Sequence, residues 1–302
     1  MQVSVIIVNY NTQQLTSCCI RSVIEKTKTV SYEIIVVDNG STSCDPEVFI
    51  EEFPSVILIK SPINKGFAGG NNLGIQQAKG EYILLLNSDT ELINDAIDIA
   101  IERIKKDSHI GALSGQLRYP DGRMQPVIGR FPSIAHECYE LFRLTKFESE
   151  SHKALRLQVD LWDYTVSTET DWIWGAFFLF PKKILQQFPG QQLQEDFFMY
   201  YEDVLWCYFI KKKLGLKIVY DSEPLILHHL SGSSFQTNLK ETFVKKSLPN
   251  QYVFIKKQYG FLYCKLYFFI KGLHLLSLRK KEKVKMAKIY FSYVFNYQNT
   301  HQ

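Results

Sequence analysis

Through its first 115 residues the chain alternates short apolar runs with longer stretches in which apolar positions recur every three or four residues. The runs are "VSVIIV" (3–8), "EIIVVD" (33–38), "SVILIK" (55–60), "EYILLLN" (81–87) and the segment around "HIGALSG" (109–115). Between them lie helical patterns near 13–27, 45–53, 70–79 and 94–106. This alternation predicts an α/β domain whose mostly parallel sheet is covered by helices on both faces. Gly80 stands where a left-handed residue would end a helix, and "RYPDGRMQP" (118–126) carries a Pro-Asp-Gly turn that predicts a hairpin.

Residues 130–168 are polar and poorly periodic, and read as a variable insertion or flap. Order resumes at "DWIWGAFFLF" (171–180), one apolar strand running to a proline that opens the next helix. The second half of "EDFFMYYEDVLWCYFIKKKLG" reads as a helix and "LKIVYD" as a strand. Beyond residue 238 the pattern is helical, aromatic and basic. The expected division is a main domain over 1–237, in two halves (1–115 and 116–237), followed by a helical extension over 238–302.

Composition narrows the function classes. The formal net charge is +4, but residues 256–288 alone contribute +9, leaving about −5 on the rest, so the main body is no nucleic-acid binder. Six cysteines without a CxxC pair point to neither a zinc site nor a disulfide framework, as expected of a cytoplasmic protein. The opening "MQVSVIIVNYN" lacks a basic leader and is too short for a membrane span, so it reads as a first core strand.

Polar residues cluster where the predicted strands end: Asn9 and Asn11, then Asp38 and Asn39, then Asn87 and Asp89. Ligands of open α/β sheets bind outside the carboxyl ends of the strands. A dinucleotide fingerprint would follow strand one, where the chain has "NYNTQ" instead. The glycines at 66, 69, 70 and 74 match neither GxGxxG nor a Walker loop. They suit either a backbone approach to a ligand before a helix starting at Asn71, or a plain helix-entry turn. Asp89 stands where a carboxylate meets a divalent cation, or else caps a turn. Glu202 and Asp203 follow an aromatic run that would raise a carboxyl pKa and make a general base; the alternative is two acids at a helix N-terminus. His228 and His229 follow a strand, and one of them could complete a metal site or fill the core.

Seven blocks in this order, "VSVIIVNYN", "EIIVVDNGSTS", "NKGFAGGNNLGI", "YILLLNSDTEL", "WGAFFLF", "FFMYYEDV" and "HHLSGSS", resemble the family-2 glycosyltransferases, specifically their bacterial rhamnosyltransferase-like branch, over roughly residues 1–235. The resemblance implies a GT-A fold, a nucleoside-diphosphate sugar donor (dTDP-rhamnose or a UDP-sugar), Mg²⁺ or Mn²⁺, and inversion at the anomeric carbon. It implies that Asp38 contacts the base, with Asn9, Asn11 and Asn39 nearby, and that Gly69, Gly70, Asn71, Asn72, Trp174 and Gly175 line the nucleotide-sugar pocket. Asn87, Ser88 and Asp89 fill the DxD-type position, with Asp89 as metal ligand. His229 matches the HxxG histidine because Gly232 lies three residues on. Asp203 matches the catalytic base, beside Glu202. The acceptor would be a glycan or a polyprenyl-diphosphate-linked glycan.

Three departures qualify the match. Ser88 replaces a common proline, Leu205 and Phe209 replace an Asp and Arg four apart, and Gln194 replaces an aspartate in "FDExFF". The tail "FIKKQYGFLYCKLYFFIKGLHLLSLRKKEKVK" is too charged to span a bilayer, with Lys265, Lys271 and His274 interrupting it. It suits a helix on an anionic membrane surface, or one packed on the domain, and a peripheral location at the inner face of the cell membrane. Two rival readings are an inactive sugar-nucleotide-binding protein, which has little reason to keep Asp89, Asp203 and His229 together, and a sugar nucleotidyltransferase, which should show a GxGTRL-like loop after strand one.

Overall fold

The computed structural model describes residues 1–144, 164–230 and 239–295. They fall into two compact units, one within Met1–Arg130 and Gln158–Phe235, the other within Phe131–Leu157 and Gln236–Gln302. The expected boundary at 237 lies outside the described residues. Residues 131–144 belong with the C-terminal helices.

The first unit is built on the strands β1 (Val3–Asn9), β2 (Tyr32–Asn39), β3 (Ile57–Ser61), β4 (Tyr82–Asn87), β5 (Thr90–Leu92), β6 (Ile110–Arg118), β7 (Ile128–Gly129), β8 (Thr168–Thr170), β9 (Trp172–Ile173), β10 (Phe177–Pro181) and β11 (Lys217–His228). Its helices are α1 (Gln13–Lys26), α2 (Val48–Glu52), α3 (Gly66–Gln77), α4 (Ala96–Lys106) and, after α5 (Ile134–Leu141) of the other unit, α6 (Glu202–Tyr208). The main sheet runs β3-β2-β1-β4-β10-β6-β11-β5, with β8 also on β11. β1 to β4, β6 and β11 share one direction, while β10, β5 and β8 run against it. β1 and β4 are buried almost throughout, as strands covered on both faces must be, which is why they read as unbroken apolar runs. The parallel register sets Asn9 beside Asp38 and Val8 beside Asn87, so the polar residues ending these strands share one edge of the sheet.

Four local expectations change. The glycine run does not precede a helix: α3 begins at Gly66 and contains it. Gly80 is not left-handed; a Cβ there would stand 2.4 Å from the Ser4 backbone nitrogen, so it is used for close packing. "DWIWGAFFLF" is two strands, β9 and β10, parted at 174–176, and Pro181 leads into a 3₁₀ turn over Lys182–Gln187. The helix after Glu202 ends in a π turn, Phe209–Lys213. The predicted hairpin forms: the Tyr119 N–H donates to the Arg123 carbonyl (2.8 Å), and Gly122 takes φ +84° in its turn.

In the second unit, α5 (Ile134–Leu141) begins at Ser133, whose Oγ accepts the His136 N–H. It is joined by α7 (Leu239–Tyr259), α8 (Phe261–Ser277) and α9 (Lys281–Phe295). Glu137 of α5 is buried between Lys271 Nζ and His274 Nδ1 of α8, each 2.9 Å away. Burial raises the Glu137 carboxyl, but these partners outweigh it and hold it down at about 2.

Candidate active site

At the end of β1 the buried Asn9 is a positioning residue. Its Nδ2 donates to Asp38 Oδ1 (2.8 Å) and Ser41 Oγ (3.0 Å), while its Oδ1 accepts from the Thr12 and Thr16 hydroxyls. Asp38 is buried too, and also accepts the Ser41 N–H. Asn11, exposed and left-handed (φ 57°), collects the Thr42 and Ser43 N–H groups and the Ser43 hydroxyl on its Oδ1. Asn39 donates to Asn64 Oδ1 and the Gly66 carbonyl and accepts the Lys65 N–H, so it fixes the entry to α3.

The residues of α3 build the site's frame. A Cβ at Gly70 would stand 2.9 Å from Val8, and one at Gly74 2.5 Å from Ile6, so these glycines let the helix lie close on the sheet. A Cβ at Gly69 would stand 2.7 Å from Lys65 Cβ, with Glu195 beyond at 3.5 Å. Gly66 (φ +74°) leaves room for the Phe198 carbonyl, which a Cβ would meet at 2.3 Å; the Phe67 N–H donates to that same carbonyl (3.0 Å). Asn72, buried, pairs with the backbone of Leu193 in both directions and donates to Glu195 Oε1, while Asn71 donates to the Phe67 carbonyl. The side-chain amide of Asn72 thus holds the chain that leads to residues 202 and 203, while that of Asn71 bonds one turn back within α3 itself.

That chain arrives under strain. Tyr200 and Tyr201 are both left-handed (φ 71° and 79°), a costly pairing for bulky residues, and α6 starts directly after them. Asp203 Oδ2 accepts the Gly175 N–H (3.2 Å) and Oδ1 the Val204 N–H (2.8 Å). Burial raises the Asp203 carboxyl pKa, only partly offset by these N–H donors. Glu202 is raised by burial and then by the charge of Asp203, and its Oε2 is buried with no hydrogen-bond partner. Leu205 is buried and Phe209 packs on Phe188 (ring centroids 4.5 Å), so the positions that depart from the family pattern serve packing. Gln194 receives the Trp206 indole N–H on its carbonyl, while its Oε1 is buried without a partner.

Residues 174–176 tie the two halves of the site together. The Trp174 ring sits edge-on to His228 (6.4 Å), the Gly175 N–H holds Asp203, and the Ala176 carbonyl accepts the Asn87 N–H (3.0 Å). Two residues beyond Asn87 is Asp89, buried, with Ser88 bonded to the Thr12 hydroxyl between them.

The histidine beside Asp89 is not the expected one. His228 Nε2 lies 3.3 Å from Asp89 Oδ1 and 3.4 Å from Asn87 Nδ2, whereas the His229 ring pairs with Glu91 (2.6 Å) and only its backbone N–H reaches the Asp89 carbonyl. The reason is strand parity: His228 closes β11 opposite Thr90 and is buried, and His229 turns to the other side. Gly232, which carries the HxxG spacing, lies outside the described residues.

Gln125 is a site residue that sequence reasoning missed. It is fully buried; its Nε2 donates to the His228 carbonyl (2.8 Å), which leaves its Oε1 to accept the His228 Nδ1–H (2.8 Å). The Nε2 of His228 therefore faces the Asp89 carboxylate with either a proton or a lone pair, and a bare lone pair there requires a cation. This pair fits a divalent ion shared with a diphosphate, the carboxylate oxygen and the imidazole being competent ligands. Among the described residues no group of three His, Cys, Asp or Glu side chains forms a closed metal cage.

A sheet of this kind, with its polar residues gathered at one edge, defines an α/β protein that binds its ligand outside the carboxyl ends of its strands. The profile of Glycosyl transferase family 2 matches residues 4–186, and the chain belongs to that family. The fold is of the GT-A type, a mixed, mostly parallel sheet with flanking helices and a helical C-terminal region. The solved structure of S. aureus TarS 1–349 superposes with a TM-score of 0.53 at 15% identity, covering 97% of this chain and 91% of that one. The poly(ribitol-phosphate) beta-glucosyltransferase of Bacillus spizizenii is 31% identical over 131 residues, 42% of this chain and 20% of that protein. The N-acetylglucosaminyl-diphospho-decaprenol L-rhamnosyltransferase of Mycobacterium tuberculosis is 25% identical over 216 residues, 67% of each chain. The match thus spans only a fifth of the Bacillus relative. Members of the family generally use a divalent metal, a nucleotide-sugar donor and a glycan or lipid-linked acceptor.

Proposed function

We propose that this protein transfers a sugar from a nucleoside-diphosphate sugar to a hydroxyl of a glycan or lipid-linked glycan by a single inverting displacement. The observation that carries the reading is the bridge at 174–176: consecutive residues hold Asp203 on one side and the Asn87–Asp89 strand end on the other. A base and a diphosphate site must flank the anomeric carbon in such a displacement, and this bridge is built to keep them in register.

Asp203 is the base. Burial has raised its pKa, so it takes a proton from the acceptor hydroxyl more readily than an ordinary carboxylate does. As the acceptor oxygen bonds to the anomeric carbon, the bond from that carbon to the diphosphate oxygen breaks, and the nucleoside diphosphate leaves. Asp89 and His228 are the residues that would hold Mg²⁺ or Mn²⁺, which when bound offsets the charge of the departing diphosphate. Asp38, fixed by Asn9, is the contact for the nucleotide base.

Rhamnose is the first sugar to test, because the relative aligned over the greater share of its length is a rhamnosyltransferase. The test is a panel of dTDP-rhamnose, UDP-glucose and UDP-N-acetylglucosamine with Mn²⁺, reading nucleotide release and donor binding. Asp203→Asn should lower transfer by about 10²- to 10⁴-fold while leaving donor binding within about threefold. Transfer by that variant at the wild-type rate refutes the assignment, and no product from any donor refutes the function.

A further inference from the structure

The helix α8 (Phe261–Ser277) has two apolar faces, one buried inside its unit and one partly exposed, on which Phe269 meets the Phe291 ring edge-on at 5.8 Å. The inner face, Cys264, Tyr267, Phe268, Gly272 and Leu275, is buried. Phe268 meets Tyr290 and Tyr293 at centroid distances of 5.3 and 5.4 Å, and Gly272 admits the ring of Phe291. The outer face presents Leu262, Leu266, Phe269 and Leu276, exposed by 82%, 48%, 38% and 38%. At about 100° per residue these four fall within an arc of roughly 80°, a single stripe along the helix. A helix face turned to water is ordinarily polar, and a continuous apolar one marks a docking surface.

The charges that interrupt this segment in sequence do not interrupt the stripe. Lys265 Nζ donates to the carbonyls of Tyr293 and Val294 (2.7 Å each), closing the end of α9 (Lys281–Phe295). Lys271 and His274 are both bound to the buried Glu137. All three polar side chains are held by partners within the unit, which leaves the outer face apolar. Exposed cations flank the helix at its two ends, Lys256 and Lys257 before Gly260, and Arg279, Lys280 and Lys281 after Ser277, while Lys283, Lys285 and Lys288 follow along α9.

We propose that this face of α8 is a docking surface for an anionic lipid bilayer, with the helix lying in the interface, its leucines and Phe269 inserted and the basic clusters at its two ends on the headgroups. Charge selects this occupant. Residues 256–288 carry +9 with Glu282 as their one acid, so a second copy of the same face would meet like charge, whereas acidic headgroups complement both ends. Among the described residues no helix is long and apolar enough to cross a membrane, so the surface supports lying on the bilayer rather than spanning it. The inference stands on α8 alone and does not depend on the transfer reaction.

The test is co-sedimentation of the full chain with phosphatidylcholine vesicles, with and without phosphatidylglycerol, alongside its mass in solution by light scattering. The chain should bind the anionic vesicles, less so as salt rises. Replacing Arg279, Lys280 and Lys281 together by Gln should weaken binding by about 100-fold, at about fivefold per cation. The double variant Leu262→Glu, Leu266→Glu, at exposed positions that leave the inner face intact, should lower binding by more than tenfold with an unchanged far-ultraviolet circular dichroism spectrum. Vesicle binding unchanged in both variants overturns the proposal. So does a dimer that the leucine variant dissociates while vesicle binding persists, which would make the stripe a contact between copies.

Discussion

Gly66→Ala is the substitution that asks most directly whether α3 positions the base. Two costs arise at this residue. An alanine at φ +74° pays about 1–2 kcal/mol for the left-handed conformation. Its Cβ would also stand 2.3 Å from the Phe198 carbonyl oxygen, where contact needs about 3.3 Å, so the segment must retreat by about 1 Å. The retreat stretches the Phe67 N–H bond to that carbonyl, worth about 1 kcal/mol, and moves a segment that ends two strained tyrosines later in Glu202 and Asp203. A 1 Å misplacement of a catalytic group costs about 10²-fold in rate. Gly215→Ala is the control: its φ is +70°, but nothing stands within 4 Å of the added Cβ, so it pays the conformational cost alone. Thermal unfolding and the rate of nucleotide release at saturating donor separate the two. Gly66→Ala should lose about 2–4 kcal/mol of stability and about 10²-fold in rate, and Gly215→Ala about 1–2 kcal/mol with an unchanged rate. Equal stability losses with wild-type rates in both would show that the Gly66 contact does not hold the base in place.

Three further outcomes follow from the site. Because burial raises the Asp203 and Glu202 carboxyls, the acid limb of the pH–rate profile should lie above the range of an ordinary carboxylate, transfer falling as pH falls through the raised value; a rate still flat at about pH 4.5 contradicts the assignment. The folded state binds these protons more tightly than the unfolded chain, so their ionisation costs stability as pH rises through the raised values, and Glu202→Gln should raise the melting temperature at neutral pH. Gln125→Leu keeps the volume but releases both ring orientation and tautomer of His228, so Mn²⁺ affinity, measured by calorimetry, should fall by about 10- to 100-fold; unaltered affinity would remove Gln125 from the site.

Strands β1, β2 and β4 were legible because they are buried on both faces, and burial of that kind leaves an unbroken apolar run in the sequence. The start of α3 was not. Glycine is a poor helix former, so local preference puts the helix after the run, whereas contacts with Val8, Ile6 and Phe198 favour it within the run. Within the run Gly70 packs on Val8, Asn71 bonds the Phe67 carbonyl, and Asn72 bonds the Leu193 backbone and Glu195 Oε1. Helix α5 left a faint signal in Pro132-Ser133, a capping residue before an amphipathic turn that the polar surroundings obscured.

The choice between His228 and His229 shows where sequence parity gives out. In a strand, alternate residues share a face, so one anchored position would settle which histidine points inward. Yet "LILHH" is apolar at every position before the pair, and upstream the register of β11 against β6 shifts between Tyr220 and Leu225, around Pro224. A count carried forward from "KIVYD" therefore loses its phase at the irregularity. Parity is restored only by the partner strand: Ile226 pairs with Leu92 and His228 with Thr90, and both are buried. The motif spacing that favoured His229 measures distance along the chain to Gly232, not the direction of a side chain. Gln125 then fixes the consequence, because a buried amide bonded to both the carbonyl and the Nδ1 of His228 would have no such partner were the ring of residue 228 turned outward. His228→Ala should therefore weaken Mn²⁺ binding far more than His229→Ala, and the reverse order would return the role to the histidine that the spacing had favoured.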